Sequence, residues 1–274
     1  MKGRLDLELT RRGLVVTRSQ AESYIRLGQV MVDGKIVLKP GYFVSADSRI
    51  ELNQDEQFVS RAALKLKSVA DDLDLDFMDK IVLDVGSSTG GFTDFALSRG
   101  AKKVIAVDVG TDQLHPKLRG DSRIELHEKT DIRDVIASAE APDLIQGKQS
   151  SKLRLDRHGD KSPRDDKIVM TSDQPHIILI DVSFISLREI LPHVAKNLAD
   201  QNTQIVAMVK PQFETGSKMK NAGVVKNDTE RRKILRDFET WTRQYFLIKN
   251  KKDSAIAGAT GNRERFYLLE KVIE

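Results

Sequence analysis

The chain has 274 residues, of which 39% are hydrophobic and 31% are charged, a balance typical of a globular protein with one or two domains. It contains no run of about 18 apolar residues, and its N-terminus lacks the apolar segment of a secretory signal, so we expect no membrane span, no export and a cytoplasmic location. Cysteine is absent, which excludes disulfides, zinc–thiolate sites and a cysteine nucleophile.

The positive charge of the chain is concentrated near its N-terminus. The formal net charge is +4, and residues 1–40 hold eight Lys or Arg against four Asp or Glu, so the rest of the chain is neutral. A compact basic segment joined to a neutral body indicates a polyanionic partner. A charged surface that is merely solvated is the alternative, and charge alone does not decide between them.

Residues 1–58 are predicted to form a small α+β domain. Residues 3–13 form a short helix, and Thr17 caps a second helix. Asp33-Gly34 stands between two short apolar runs and predicts a hairpin, because a type I′ turn needs a positive φ at both central positions. Residues 48–52 supply another short strand. A polar linker at 53–57 then leads into the rest of the chain.

Residues 59–274 show the pattern of a second, larger α/β domain. Strands that are apolar on both faces alternate with helices, which indicates a parallel sheet covered on both sides. The last two strands are close in sequence and are expected to pair antiparallel. We therefore predict a Rossmann-like sheet that is mostly parallel, with its last strand antiparallel. The predicted strands are 81–85, 104–108, 177–181, 205–209, 246–249 and 266–272, and the predicted helices are 60–75, 92–99, 187–199 and 229–244.

Residues 146–174 interrupt this pattern. They are rich in Lys, Arg, Asp and Ser and contain few apolar residues, which predicts a mobile insertion. It is either a solvated loop without function or a basic flap that contacts the substrate.

A glycine-rich turn joins the first predicted strand of the sheet to the helix that follows. Glycines let a ligand approach the backbone, and the helix N-terminus offers free N–H groups. Asp108, at the end of the next strand, can accept hydrogen bonds from ribose hydroxyls. Packing of helix against sheet is the alternative role for the glycines. The predicted cofactor-binding residues are Asp84, Gly86, Ser88, Thr89, Gly90, Gly91, Phe92, Asp108, Val109, Asp131 and Asp181.

The spacing of this turn favours one class of nucleotide over others. Gly86, Gly90 and Gly91 form Gly-x-x-x-Gly-Gly, which differs from the dinucleotide fingerprint and from the P-loop motif. The carboxylate of Asp84 beside the turn would repel a phosphate, whereas it suits the cationic sulfonium and amino groups of S-adenosylmethionine. The sequence therefore predicts S-adenosylmethionine as the cofactor.

Charged side chains also lie at strand ends, where packing does not need them. Asp181 and Lys210 end two neighbouring strands of the predicted sheet, Glu264 precedes the last strand, and Lys65 lies on the helix before the first strand. Each of them alone would be an ordinary surface charge. Because the carboxyl ends of neighbouring parallel strands meet in one crevice, we expect them to form a site there.

Over nearly its full length the sequence resembles the TlyA (hemolysin A-like) rRNA methyltransferases. These join an RNA-binding domain like that of ribosomal protein S-four to a catalytic domain like that of FtsJ. The matching blocks are Arg4-Leu5-Asp6, Arg11 to Leu14, Ser19 to Ala21, Gly28 to Val30, Val32 to Gly34, Val59 to Arg61, Asp84 to Asp94, Ala106 to Gly110, Asp181 to Leu187, Lys210 to Glu214, Gly216, Gly223 to Val225, Gly261, Asn262 and Glu264.

The resemblance implies a Lys-Asp-Lys-Glu tetrad at Lys65, Asp181, Lys210 and Glu264, and methylation of a ribose 2′-hydroxyl of rRNA, typically at cytidine. Lys210 would be the base, Asp181 and Glu264 would orient it, and Lys65 would stabilise the developing alkoxide and hold Asp181. Ring-carbon and amine methylation fit less well, because cysteine is absent and the Asn/Asp-Pro-Pro-aromatic motif is missing.

The expected partner is rRNA or a ribosomal subunit, with no membrane, no metal and an oligomeric state that the sequence does not reveal. The small domain has few aromatic residues, so we expect it to recognise the shape of folded RNA through phosphate contacts. The predicted RNA-binding residues are Arg4, Arg11, Arg12, Arg18, Arg26 and Lys35.

Two departures from the family leave the rRNA site preference open: Ala62-Ala63 replaces a usual Gly-Gly pair, and the insertion at 146–174 is not typical. Three other functions stay as alternatives: a ribosome-associated RNA-binding protein without catalysis, a membrane-active hemolysin and a small-molecule methyltransferase.

Overall fold

The computed structural model describes residues 2–26, 28–52, 58–137, 168–170, 174–215, 223–225, 227–258 and 261–272. The predicted linker at 53–57, Gly216 and all of the predicted insertion except residues 168–170 and 174 lie outside the described residues.

The N-terminal part of the chain forms two helices and two small antiparallel sheets. One sheet pairs the first strand with the fourth, and the other has the order β3-β2-β5. The elements are β1 (Lys2–Arg4), α1 (Leu5–Arg11), α2 (Arg18–Arg26), β2 (Val30–Val32), β3 (Lys35–Ile36), β4 (Phe43–Ser45) and β5 (Ile50–Leu52).

The local signals in this part behave as predicted, with one exception. Asp33 and Gly34 have φ values of 51° and 76°, as a type I′ turn requires. The hydroxyl of Thr17 accepts a hydrogen bond from Gln20 N at 3.1 Å, which caps α2. The exception is the predicted helix at 3–13, which begins only at Leu5, because residues 2–4 pair with β4 instead.

The C-terminal part of the chain is built on a seven-stranded sheet. Its elements are α3 (Arg61–Ala70), β6 (Ile81–Val85), α4 (Gly91–Ser98), β7 (Lys103–Val107), α5 (Pro116–Arg119), β8 (Ile124–His127), β9 (Val135–Ala137), β10 (Ile168–Met170), β11 (Ile177–Ile180), α6 (Leu191–Asn197), β12 (Gln204–Val209), α7 (Asp228–Thr242), β13 (Phe246–Asp253) and β14 (Arg265–Lys271).

The order of strands in the large sheet is β13-β14-β12-β11-β6-β7-β8. Five strands, β12, β11, β6, β7 and β8, run parallel to one another, and β14 is antiparallel to both β12 and β13. This confirms the predicted fold class. β8 extends the sheet beyond the predicted strands, and β10, inside the predicted insertion, pairs with β9.

Helices cover both faces of the sheet and explain the apolar runs. Along β6, Val82 packs with α3 and α4, whereas Leu83 and Val85 pack with α6 and α7 on the other face. Residues 82–85 of β6 and all four residues of β11 are therefore buried, as expected for parallel strands between two helical layers. The first of these clusters also includes Leu5 and Leu9 of α1, so one core continues from the N-terminal part into the helices over the sheet.

Some helix limits differ from the prediction. α3 begins after Ser60, whose hydroxyl accepts from Ala62 N at 3.3 Å, but it ends at Ala70 instead of near residue 75. The predicted helix at 187–199 is a 3₁₀ turn (Leu187–Glu189) followed by α6, whose second residue is Pro192.

Candidate active site

The glycine turn between β6 and α4 lies at the carboxyl edge of the parallel strands. Gly86 has a φ of +82°, and a Cβ added to it would lie 2.7 Å from the carbonyl oxygen of Asp181. A Cβ added to Gly91 would overlap the hydroxyl of Ser60 and lie 3.0 Å from Ala63 N. The two glycines therefore let the turn lie directly against β11 on one side and against the start of α3 on the other.

Asp84 is a buried carboxylate below this turn. Its Oδ2 accepts a hydrogen bond from Thr93 Oγ1 at 2.7 Å, while its Oδ1 has no hydrogen-bond partner among the described residues. Burial raises the pKa of Asp84 to about 7, and the charges of Asp181 and Asp108 act in the same direction. An ionised Asp84 is therefore unfavourable unless a cation lies beside it.

Two adjoining pockets open at the turn, and we call them the inner and the outer pocket. The inner pocket has a volume of about 130 Å³ and the outer pocket about 360 Å³, and they share Gly86, Ser88, Asp181 and Ser183. The inner pocket is lined by Ala62, Asp84, Gly86, Ser87, Ser88, Thr89, Gly91, Phe92, Asp181, Ser183 and Lys210. The outer pocket is lined by Val85, Gly86, Ser88, Val107, Asp108, Val109, Gln113, Thr130, Asp131, Ile132, Asp181, Val182, Ser183, Phe184, Ile185 and Ile190.

The outer pocket combines apolar walls with three carboxylates, those of Asp108, Asp131 and Asp181. Asp108 accepts hydrogen bonds from Ser88 N at 2.8 Å and Gly110 N at 2.7 Å, which fixes its side chain at the end of β7. Asp131 is held by Arg133, whose guanidinium keeps the pKa of this carboxyl below its usual value. Such a pocket, apolar with a few fixed polar groups, is typical of a site for a nucleoside.

Lys210 and Asp181 form an ion pair in the inner pocket. Lys210 Nζ lies 2.6 Å from Asp181 Oδ1 and also donates to Ser183 Oγ at 2.6 Å. Asp181 follows β11 and Lys210 follows β12, so the neighbouring parallel strands bring the two side chains together as predicted. Both side chains are largely buried, 15% and 11% exposed.

A second ion pair joins Lys65 of α3 to Glu264, with Nζ 2.6 Å from Oε2 and side chains only 12% and 4% exposed. Two neighbouring residues relate this pair to the inner pocket, whose lining includes neither Lys65 nor Glu264. Ala62, one turn before Lys65, is part of the pocket wall. Glu264 lies one position beyond the Val209–Arg265 pair of β12 and β14, beside Lys210.

The loop that carries Glu264 is tied to the surrounding elements. Ser254 N donates to the carbonyl oxygen of Glu264 at 3.0 Å. Arg231 of α7 donates to the carbonyl oxygen of Arg263 at 3.0 Å. A Cβ added to Gly258 would lie 2.8 Å from Glu264 Oε1, so this glycine leaves the space that the carboxylate fills. Backbone contacts on both sides therefore hold Glu264 towards Lys65.

The structure therefore brings all four tetrad residues to one edge of the sheet, and one of the expected contacts is present: Asp181 pairs with Lys210. Lys65 is also predicted to hold Asp181, and Glu264 to orient Lys210; instead these two residues bind each other. β12 lies between β11 and β14, so Lys210 has Asp181 on one side and Glu264 on the other, and its ion pair is with Asp181.

Phe184 is a feature of the site that sequence reasoning missed. It has a φ of 67°, which is rare and strained for a large side chain, and it is 86% exposed beside the outer pocket. Its ring lies 5.4 Å from that of Phe213. An aromatic residue between Ser183 and Ile185 does not reveal either property, so no sequence signal identifies it.

The basic residues of the N-terminal part have local acidic partners in several cases. Arg4 and Arg18 both bind Asp6, whose side chain is fully buried, at 2.9 Å each. These two arginines therefore hold the start of α1 and the start of α2 together. The side chains of Arg4 and Arg18 nevertheless remain 41% and 53% exposed.

Arg11 and Arg12 share Glu8, and Arg12 also donates to the carbonyl oxygens of Ser45, Ala46 and Ser48. Arg26 and Lys35 are exposed and form no ion pair with a described residue. Of the six predicted RNA-binding residues, Arg26 and Lys35 are thus the ones whose charge is not offset locally.

Two further properties bear on the predicted partners. No helix in the described part of the chain is long and apolar enough to cross a membrane. Among the described residues, no cluster of three or more His, Asp or Glu side chains could hold a metal ion.

Comparison with known proteins gives matches over almost the whole chain. Residues 58–271 match the FtsJ-like methyltransferase family, and residues 3–50 match the S4 domain. The 16S/23S rRNA (cytidine-2′-O)-methyltransferase TlyA of Mycobacterium tuberculosis is 33% identical over 272 residues, which are 98% of this chain and 90% of that protein.

Two more matches agree with it. The 23S rRNA (cytidine-2′-O)-methyltransferase TlyA of Campylobacter jejuni is 38% identical over 219 residues, 79% of this chain and 72% of that protein. The solved structure of a candidate hemolysin from Streptococcus thermophilus is 35% identical, with a TM-score of 0.62, covering 99% of this chain and 89% of that one. The chain therefore belongs to the FtsJ-like methyltransferase family, with an S4 domain before the methyltransferase domain, and its relatives include the TlyA and hemolysin A proteins.

Proposed function

We propose that this protein transfers a methyl group from S-adenosylmethionine to a ribose 2′-hydroxyl of rRNA, at a cytidine. The observation that carries the proposal is the pair of ion pairs, Lys210–Asp181 and Lys65–Glu264, at the strand edge that also carries the glycine turn. The names of the Mycobacterium tuberculosis and Campylobacter jejuni relatives support the choice of acceptor. A ribosomal substrate would place the reaction in the cytoplasm.

The residues at the turn suit S-adenosylmethionine. Asp84 Oδ1, which is buried and has no described partner, would face a cationic group of the cofactor. Gly86 to Phe92 would supply backbone N–H groups, Asp108 would bind the ribose hydroxyls, and Val109 and Asp131 would lie around the adenine. When bound, S-adenosylmethionine supplies a methyl group on a positively charged sulfur, which an oxygen nucleophile can capture.

Lys210 would prepare the ribose oxygen. A ribose hydroxyl is a weak nucleophile near neutral pH, so it must be oriented and lose its proton. We assign the proton to Lys210 Nζ, which must first release one proton to solvent. The carboxylate of Asp181, 2.6 Å away, would then stabilise the ammonium group that forms as Lys210 takes up the hydroxyl proton.

Lys65 would stabilise the negative charge that develops on the oxygen. Its partner Glu264 fixes its ammonium group in a site that water hardly enters, where a fixed charge acts more strongly than in water. Asp181 and Glu264 would thus each act by positioning one lysine. This assigns the four tetrad residues to two cooperating pairs.

We propose that residues 1–58 form the RNA-binding domain and 59–274 the catalytic domain. The exposed Arg26 and Lys35, together with the exposed sides of Arg4, Arg11, Arg12 and Arg18, would contact rRNA phosphates, which position an RNA without reading its sequence. These contacts would bring the target nucleotide to the inner and outer pockets.

The experiment that tests the proposal maps ribose methylation on rRNA from cells with and without the gene. We expect one or more 2′-O-methyl marks at cytidine to disappear with the gene and to return when it is restored. Restoring a Lys210→Ala variant should not return the mark. An rRNA methylation pattern that is identical in both strains would refute the substrate.

A further inference from the structure

Glu214 is a buried carboxylate next to the active site that has no part in the mechanism described above. It lies four residues after Lys210, directly after the 3₁₀ turn Pro211–Phe213, and its side chain is 1% exposed. Its burial raises the pKa of this carboxyl, against the effect of the hydrogen bonds that it accepts. Because burying a carboxylate is energetically unfavourable, we expect Glu214 to have a specific role.

The carboxylate of Glu214 joins the loop after β12 to the loop after β11. Oε2 accepts from Ser186 Oγ at 2.6 Å, and Oε1 accepts from Leu187 N at 2.8 Å. Ser186 Oγ also accepts from Arg188 N at 3.1 Å, so this hydroxyl connects Glu214 to the backbone of the 3₁₀ turn that follows the loop. Both oxygens of one carboxylate are thus used to hold the end of the loop 181–187.

The same loop is held at its start and in its middle. At the start, Asp181 N donates to the carbonyl oxygen of Val85 at 3.0 Å. In the middle, Ser183 accepts from Lys210. Between Ser183 and the part held by Glu214 lies the strained φ of Phe184. A strained residue persists only where its surroundings enforce it, and Glu214 supplies the constraint on the C-terminal side.

We propose that Glu214 is a positioning residue for methyl transfer: it fixes the end of the loop 181–187 and so sets how Asp181 and Ser183 meet Lys210. This inference rests on the proposed function. Lys210 and Glu214 stand at the two ends of one short turn, and their partners Ser183 and Ser186 stand at the two ends of another. The two loops that carry the Lys210–Asp181 pair therefore form one cross-linked unit.

The test is Glu214→Gln, which keeps the shape but replaces one acceptor oxygen with an amide nitrogen that cannot accept. We expect kcat to fall about 10- to 100-fold, because small misplacements of reacting groups have effects of this size. The dissociation constant for S-adenosylhomocysteine, measured by calorimetry, should stay unchanged. Hydrogen exchange should accelerate in the peptide that contains Ser186 and Leu187, because the one oxygen of the amide can accept from only one of the two groups that donate to the carboxylate.

The matched control is Glu239→Gln. Counted over the whole residue, Glu239 and Glu214 are each 8% exposed, and Glu239 accepts hydrogen bonds from Lys251 and Tyr267 away from the active site. It should lose stability while kcat and the exchange of the Leu187 peptide stay as in the wild type. A role of Glu214 in stability alone would give the same pattern for both variants.

Ser186→Ala covers the case in which Glu214→Gln does not fold. It removes one of the two hydrogen bonds and should lower kcat in the same direction by a smaller factor. Wild-type kcat in folded Glu214→Gln, or in Ser186→Ala if the former does not fold, would overturn the proposal. A wild-type protein with no methyl transfer would instead refute the proposed function. In that case only hydrogen exchange tests whether Glu214 fixes the loop 181–187, and unchanged exchange in the peptide that contains Leu187 would overturn this role.

Discussion

The Lys65–Glu264 ion pair allows stability and catalysis to be separated by mutation. In Lys65→Met the carboxylate of Glu264, which is 4% exposed, loses the cation 2.6 Å away and stays confined beside Gly258. Removing one partner of a buried ion pair costs about 3–5 kcal/mol. For a domain of this size each kcal/mol lowers Tm by about 2–4 °C, so we expect a fall of about 6–20 °C.

The double variant Lys65→Met/Glu264→Leu tests the origin of this loss. Replacing both charges with apolar groups of similar size leaves no buried charge unpaired, so most of the stability should return. Activity should not return, because the fixed ammonium group is still missing. The ion pair would then serve the reaction and not the fold.

The assay combines thermal denaturation followed by circular dichroism with transfer of a labelled methyl group to rRNA. Calorimetry with S-adenosylhomocysteine checks that the cofactor site is intact in both variants. If Lys65→Met melts at the wild-type temperature, the burial argument is wrong. If the double variant turns over at the wild-type rate, Lys65 and Glu264 have no role in the chemistry.

Three further predictions concern the cofactor turn and the RNA contacts. Burial raises the pKa of Asp84 from 3.8 to about 7, so between these pH values the folded chain holds a proton that the unfolded chain has lost. The free energy of unfolding should therefore fall by on the order of 4 kcal/mol as pH rises from about 4 to about 7. Denaturation at several pH values should show a smaller change of this free energy with pH in Asp84→Asn, and the same change as in the wild type would contradict the prediction. Gly86→Ala should weaken S-adenosylhomocysteine binding in calorimetry and lower the free energy of unfolding by more than the about 1–2 kcal/mol that alanine costs in the left-handed region. The control Gly34→Ala, where a Cβ would have no neighbour within 4 Å, measures this backbone cost alone. Equal losses of stability in the two variants would contradict a clash at the turn. Arg26→Glu and Lys35→Glu should each weaken rRNA binding and reduce the slope of log binding constant against log salt concentration by about one. An unchanged slope in filter-binding experiments would exclude these phosphate contacts.

The parts of the fold that depend on local chemistry could be predicted from the sequence. The hairpin at Asp33-Gly34 follows from the positive φ that its turn demands, and the parallel strands follow from residues that are apolar on both faces. β1 could not be predicted, because Lys2–Arg4 is a strand only through its pairing with Phe43–Ser45. β8 is an edge strand whose residues are only half-buried, so it lacks the apolar pattern of its neighbours.

The candidate site likewise has one part that could be predicted from the sequence and another that could not. That Asp181 and Lys210 meet follows from a topological rule, since both end neighbouring parallel strands. That Glu264 binds Lys65 depends on how α3 packs against the loop before β14, where Arg61 donates to the carbonyl oxygen of Ala257, and no sequence pattern shows this contact. The strained backbone of Phe184 and the two hydrogen bonds of Glu214 depend on contacts between loops and were not predicted.

In the proposed reaction Lys210, held by Asp181, takes the proton of a ribose 2′-hydroxyl of rRNA during methyl transfer. Its most direct test incubates purified wild-type and Lys210→Ala protein with rRNA and S-adenosylmethionine and then cleaves the RNA with alkali, which spares the bond next to a 2′-O-methylated ribose. We expect one or more protected cytidines with the wild type and none with Lys210→Ala, while both proteins bind S-adenosylhomocysteine equally. Protection that persists in Lys210→Ala, or methyl groups that appear on a base instead of a ribose, would contradict it.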